Sequence, residues 1–217
     1  ELAEIERLMQ LARPLGIEGP APQARLVLPP AALERAAVLW EQELPAGDGP
    51  VLAVHPGSVW PTKRWPVEFF SRVLDLAAEA GARILLLAGP GEEGVARAVG
   101  DWSSPLARER TLDLAGRLSL PELAAVLGRA RAYLTNDSGP MHLAWVQGTP
   151  LVALFGPTTR DLGFFPRGAG STVLERKLPC RPCGLHGHKR CPLGHHDCMR
   201  EITPDEVWAA LKPKLGL

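Results

Sequence analysis

Ala132-Tyr133-Leu134-Thr135-Asn136-Asp137-Ser138-Gly139-Pro140-Met141-His142 passes from an apolar run through a polar turn straight into a second apolar segment, Leu143-Ala144-Trp145-Val146. The pattern predicts a strand ending at Asn136 and a helix opening at Ser138. Ser138 has the side chain of an N-cap, and Pro140 falls in the first turn, where a missing N–H costs little. Gly139 carries no Cβ, so a ligand can approach the backbone closely there. A strand, a tight turn and a helix start leave unpaired N–H groups and a positive helix end pointing into one crevice, which suits a phosphorylated ligand.

The neighbouring segments repeat the strand–helix alternation. Strands are predicted at Val51–His55, Arg83–Ala88, Thr111–Leu114, Ala132–Asn136 and Leu151–Phe155, and helices at Val67–Glu79, Glu92–Val99, Ser119–Leu127 and Ser138–Gln147. Such alternation predicts an α/β fold, a Rossmann-like open parallel sheet with both faces covered by helices. Ser119 to Glu122 and Thr203 to Glu206 read as capping boxes, the second opening a terminal helix that ends near Lys214. Earlier in the chain, a helix is expected from Leu2 through Met9, a proline-rich connector over 14–30 with a short strand at Arg25–Leu28, and a helix at Ala31–Glu41. Ligands of open α/β sheets bind beyond the carboxyl ends of the strands. Segments 55–66, 88–93 and 135–142 each follow a predicted strand, so all three are expected along one edge.

Lys plus Arg and Asp plus Glu both number 24, which argues against a general nucleic-acid binder. No apolar run approaches the roughly 20 residues that cross a bilayer. The expectation is a cytoplasmic protein, with peripheral contact at the inner membrane left open. An amphipathic helix at the very start, with Glu rather than Met at position 1, suggests a fragment of a longer protein.

Three segments carry candidate chemistry. His55-Pro56-Gly57-Ser58-Val59-Trp60-Pro61-Thr62-Lys63-Arg64-Trp65-Pro66 offers N–H groups, a hydroxyl and two cations, although Pro-Gly is also ordinary turn chemistry and Lys-Arg is commonly solvated. In Ala88-Gly89-Pro90-Gly91-Glu92-Glu93-Gly94 a carboxylate could hold ribose hydroxyls or simply complement a helix dipole. In the opening segment, His142 lies one turn after Ser138 and could reach the same crevice or pack in the core. Asp137 would repel a phosphate, which leaves sugar hydroxyls or the ordering of the turn.

Together with Pro150-Leu151-Val152-Ala153-Leu154-Phe155-Gly156-Pro157-Thr158, these segments resemble glycosyltransferase family 9, the ADP-heptose:lipopolysaccharide heptosyltransferases and their relatives. The resemblance covers roughly residues 50 to 212 and implies the C-terminal, nucleotide-sugar-binding domain of a GT-B enzyme. It implies that residues 1–45 are the end of an N-terminal half with its connector. Residues 46–217 would be the donor domain, with a cysteine-rich insert at 179–198. It further implies an inverting, metal-independent glycosyltransferase moving heptose from ADP-heptose to a lipopolysaccharide core acceptor. In that reading Ser58 and Lys63 contact the diphosphate, Lys63 being the catalytic cation. Ser138 and Gly139 hold the phosphates, Asp137 and His142 sit near the sugar, Leu118 packs on the adenine, and Glu92 or Glu93 binds the ribose. The family's general base, an Asp of the N-terminal half, has no counterpart here. The acceptor would bind that missing half, and this chain alone should bind donor without transferring sugar. Another GT-B nucleotide-sugar enzyme, or a non-catalytic zinc-loop interaction module, are the alternative readings.

The four cysteines fall in Cys180-x2-Cys183-x7-Cys191-x6-Cys198, interleaved with His186, His188, His195 and His196. The ligand types and turn residues suit a structural zinc loop. Disulfides and free thiols remain open alternatives, and no cofactor is expected for catalysis.

Overall fold

The computed structural model describes residues 3–22 and 24–217; Leu2, expected in the first helix, lies outside them. The helix itself forms as α1, Glu4–Ala12. It is followed by α2, Pro30–Val38, whose last turn widens into a π-type turn over Leu39–Glu43. Arg25–Leu28 forms no strand: Val27 is 98% exposed, and the segment pairs with no strand of the sheet among the described residues.

From residue 51 the alternation holds. The order is β1 (Val51–His55), α3 (Val67–Glu79), β2 (Arg83–Leu86), α4 (Glu93–Trp102), α5 (Pro105–Glu109), β3 (Thr111–Asp113), α6 (Leu120–Arg129), β4 (Ala132–Asn136), α7 (Gly139–Val146) and β5 (Leu151–Phe155). Then come β6 (Ser171–Glu175), α8 (Asp197–Arg200) and α9 (Pro204–Leu215). Strand β6 and the short helices α5 and α8 go beyond the sequence-based expectation. The first is a half-exposed edge strand with little apolar signal.

Among the described residues six strands form one parallel sheet, in the order β3-β2-β1-β4-β5-β6. Period-two alternation sends Leu52, Val54, Leu134 and Val152 into one helix layer, with α3 and α9. Ala53, Tyr133, Ala153 and Phe155 face the other, with α2, α6 and α7. Buried on both faces, the central strands need the near-continuous apolar runs seen in the sequence. Residues before 46 pack on this body: α2 lies against α6 through Ala32 and Ala36, and the Glu4 N–H bonds the Gly163 carbonyl at 3.0 Å.

The two expected capping boxes form to different extents. The Glu122 carboxylate takes both the Ser119 N–H (2.7 Å) and its hydroxyl (2.6 Å). Thr203 Oγ1 accepts from the Glu206 N–H at 3.3 Å, but the Glu206 carboxylate turns to Arg176 instead of closing the second capping box.

Candidate functional site

Strand order reverses between β1 and β4, which pair directly with His55 opposite Thr135. At such a switch point the loops leaving two adjacent strands diverge and open a crevice. Here these are residues 56–66 and the turn into α7. The loop after β2 adds a third wall, so the three predicted segments do share one edge.

Asn136, fully buried at the end of β4, sets the shape of the first loop. Its Nδ2 donates to the carbonyls of Pro56 (2.8 Å) and Gly57 (3.2 Å), and its Oδ1 accepts the Trp65 N–H (3.1 Å). Trp65 is itself buried, edge-on to Phe69 and Phe70, with its indole N–H on the Ile202 carbonyl at 2.9 Å. The two ends of the loop are thereby pinned. Pro61–Lys63 forms a 3-10 turn that raises Lys63 over the crevice.

Lys63 Nζ lies 2.6 Å from Asp137 Oδ2, and the Thr158 hydroxyl donates to the same oxygen at 2.6 Å. Both members of the ion pair are largely buried. Asp137 therefore fixes the ammonium and ties the turn after β4 to the segment after β5. Thr158, past the end of β5, joins the group; the sequence placed it in a resembling segment without giving it a role.

Ser138 occupies the N-cap position of α7 with extended backbone (φ −151°, ψ 166°), but its hydroxyl caps nothing. It faces Thr135 Oγ1 at 3.2 Å. The expectation of a capping serine is corrected in that respect: the hydroxyl pairs with that of the buried Thr135, and among the described residues the first N–H groups of α7 have no side-chain acceptor. A Cβ built on Gly139 meets nothing within 4 Å, so open space lies over the helix start.

Two cavities meet at this point, and Ser58, Ser138 and Gly139 line both. One, of ≈ 400 Å³, also takes in Lys63, Asp137 and His142. The other, of ≈ 640 Å³, has an apolar side with Leu114, Leu118 and Leu123, and a polar side with His55 and Glu92. All eight residues expected at the site thus line one cavity or the other. The plan is bipartite, with polar donors at the junction and an apolar slot on one side.

Glu92 is held in place from three directions. Its Oε2 lies 3.3 Å from His55 Nε2 and accepts the Gly89 N–H at 3.2 Å. A Cβ on Gly57 would come within 2.4 Å of the same oxygen, so this carboxylate needs a glycine opposite. Burial pushes the Glu92 carboxyl up, but the imidazole and the amide outweigh it and hold the group below its ordinary value. His55 is buried, and among the described residues its Nδ1 has no partner. The sequence pattern did not single out His55 or Asn136. A polar residue closing an otherwise apolar strand was the available signal for both.

Burial lowers the His142 pKa, with Lys63 reinforcing and Asp137 opposing the shift.

The cysteine-rich insert, expected as a zinc loop, packs beside the crevice, with Leu185 and His186 among the residues lining the smaller cavity. Among the described residues no three His, Cys, Asp or Glu side chains are grouped to hold a metal ion, and Cys180, Cys183, Cys191 and Cys198 are unbridged. The Cys183 thiol donates to the Cys180 carbonyl at 3.2 Å, and Cys198 is buried beside the apolar core. Burial, aided by the neighbouring thiols against the opposing pull of Arg181, pushes Cys198 up to about 11.

The family model for glycosyltransferase family 9 (heptosyltransferase) matches residues 2–193. A lipooligosaccharide heptosyltransferase 2 of Campylobacter jejuni is 27% identical over 166 residues, 75% of this chain and 50% of that protein. The family 9 glycosyltransferase structure from Veillonella parvula aligns with a TM-score of 0.83 at 22% identity, over 99% of this chain and 60% of that one. An E. coli heptosyltransferase solved with ADP-2-deoxy-2-fluoro heptose aligns at 0.63 and 24% identity, over 96% of this chain and 55% of that one. The chain spans about half the length of the curated relatives it matches. The solved structures share its fold, the open parallel α/β sheet of a GT-B glycosyltransferase domain. No helix among the described residues is long and apolar enough to cross a membrane. On the family model's match over most of its length, the chain belongs to glycosyltransferase family 9, the heptosyltransferases.

Proposed function

We propose that this chain is the donor-binding part of an inverting heptosyltransferase that uses ADP-heptose and delivers heptose to a lipopolysaccharide-type acceptor. The observation that carries the proposal is the pair of cavities meeting at Ser58, Ser138 and Gly139 around the start of α7, with Lys63 over the smaller one. The curated relatives named as heptosyltransferases, and the related structure holding an ADP-heptose analogue, support the choice of donor.

In this reading adenine enters the apolar slot against Leu118, and the Glu92 carboxylate accepts a ribose hydroxyl. The diphosphate lies across the junction, on the N–H groups of the helix start and the hydroxyls of Ser58 and Ser138. The heptose occupies the cavity with Asp137 and His142. As the acceptor oxygen bonds to the anomeric carbon, the bond to the diphosphate breaks from the opposite side and negative charge builds on the departing ADP. Lys63, fixed by Asp137, and the dipole of α7 meet that charge, and preorganised groups of this kind are worth most where water is excluded. This work needs no catalytic metal, so a chelator is expected to leave turnover unchanged. The base that takes the acceptor proton, and the acceptor site, are assigned to the preceding half. Residues 1–45 are its end and connector, and 46–217 the donor domain. The enzyme would work in the cytoplasm, meeting its lipid-linked acceptor at the inner membrane.

Calorimetry of the chain with ADP, UDP and ADP-heptose tests the donor site. Preference for ADP and ADP-heptose is expected. A preference for UDP would favour another GT-B activity, and no nucleotide binding would favour a non-catalytic module. In the full-length enzyme, Lys63→Ala should lower kcat about 100-fold with little change in KM, because the charge it meets develops in the transition state; steady-state kinetics with unchanged kcat would remove Lys63 from the mechanism.

A further inference from the structure

The cysteine-rich insert is the one motif that the donor site leaves without a role, yet it is bonded to both loops that hold the Lys63–Asp137 pair. On the Lys63 side, the Thr62 N–H and hydroxyl both donate to the His188 carbonyl, at 3.2 and 3.0 Å, and the His188 N–H returns to Thr62 Oγ1 at 2.7 Å. His196 Nε2 lies 2.7 Å from the Thr62 carbonyl. Between these bonds Gly187 sits so close to the turn that a Cβ there would be 2.7 Å from Trp60 Cβ and 3.1 Å from Lys63 Cγ. Trp60 and His186 stack alongside with parallel rings.

On the other side, the Cys183 N–H donates to the Pro157 carbonyl at 2.8 Å, and Arg181 Nη2 donates to the Thr158 carbonyl at 2.7 Å. Thr158 is the residue whose hydroxyl holds Asp137. The guanidinium of Arg181 is almost wholly buried, and it also bonds the carbonyls of Phe155 and Gly156. A buried, multiply bonded guanidinium is costly to displace, so this anchor is rigid. The insert therefore bridges two loops that leave different strands, and the ammonium sits between its anchors.

We propose that the insert 179–198 is a positioning element for the diphosphate subsite, setting Lys63 through Thr62 and Asp137 through Thr158. The proposal rests on the donor-site reading above. It makes Thr62 a positioning residue, whose hydroxyl transmits the geometry of the insert to the Lys63 ammonium. Loss of that register should weaken contacts to the phosphates and leave the adenine and ribose contacts, on the far side of the junction, untouched.

The test measures binding of ADP and of adenosine to the whole chain by calorimetry. Thr62→Val keeps the shape of the side chain and removes the hydroxyl. It should weaken ADP about 10-fold, the equivalent of losing one hydrogen bond's worth of placement, with adenosine within about 2-fold of wild type. Thr62→Ser should restore ADP binding. In a Lys63→Ala background, Thr62→Val should add nothing, because a positioning residue has no effect once the residue it positions is gone. Gly187→Ala approaches from the insert side and should give the same ADP-selective loss, which covers the case of a Thr62 variant that fails to fold. Unchanged ADP binding in both variants, an equal loss for adenosine, or a full 10-fold loss on top of Lys63→Ala would each overturn the proposal. If wild type binds neither ADP nor adenosine, the donor-site reading itself fails; if wild type binds both and the variants behave like it, only the role of the insert fails.

Discussion

Single side chains at the crevice are held for different reasons, and two of them give sharp tests. Gly139 has open space where a Cβ would go and a backbone that any residue can adopt. Gly139→Ala should therefore keep the thermal midpoint within about 2 °C of wild type, or raise it slightly through better helix propensity, while weakening ADP about 10-fold by placing a methyl over the helix start. A variant that melts early would mean the glycine serves the fold. His142 offers a pH test. Its pKa is lowered, chiefly by burial, so below its ordinary value of about 6.5 the unfolded chain takes up a proton that the native state declines. Stability is thus fully present above that value and falls as pH drops through the window beneath it. Denaturant melts of wild type and His142→Gln between pH 7.5 and 5.5 should show the variant losing less stability than wild type, and parallel curves would exclude the effect. Both residues were visible in the sequence as site candidates. What their surroundings do to them was not, because burial and the nearby Lys63 and Asp137 are supplied by different segments.

At the scale of elements, the fold rests on close approach at the strand starts and on pinned loops at the strand ends. Before β1, Gly49 passes so near the lead-in to β2 that a Cβ would stand 1.9 Å from the Gly81 carbonyl oxygen. Backbone on both sides cannot yield cheaply, so Gly49→Ala should destabilise by about 1–3 kcal/mol, read as a drop in the denaturation midpoint. A neutral outcome would show that the two lead-ins move freely. At the other end, Asn136→Ala strips partners from the Pro56 and Gly57 carbonyls and from the Trp65 N–H. That should cost about 3 kcal/mol or more and loosen the Lys63 loop, so ADP affinity should fall with the melting temperature. Affinity at the wild-type level would show that the loop keeps its shape without Asn136. Strands β1, β4 and β5 were legible to the residue because buried parallel strands must be apolar on both faces. Strand β6 was not, since an edge strand needs little burial and Ser171–Glu175 is only half-buried along its whole length. Arg25–Leu28 had strand composition without a partner, and composition alone pairs with nothing.

Over the whole molecule, the candidate site gathers residues from the loops after β1, β2, β3, β4 and β5 and from the insert near the C-terminus. Ligand bound there links segments far apart in the chain, so it should stabilise the domain as a unit. ADP at about 100 times its Kd is expected to add about 2.7 kcal/mol, roughly 5–10 °C in a chain of this size, and Lys63→Ala should gain less at the same concentration. A thermal shift equal in both proteins would show that Lys63 makes no contact with the bound nucleotide. The amino-acid sequence by itself determined the alternating α/β class, the parallel central strands and the identity of the glycine- and serine-rich turns. These follow from local periodicity and from backbone conformations that few residues allow. Only the tertiary structure decided that Asp137 holds Lys63, that His55 holds Glu92, and that the cysteine-rich insert is laced to the Lys63 turn. Each of those depends on distance between residues tens of positions apart, and spacing along the chain does not encode it.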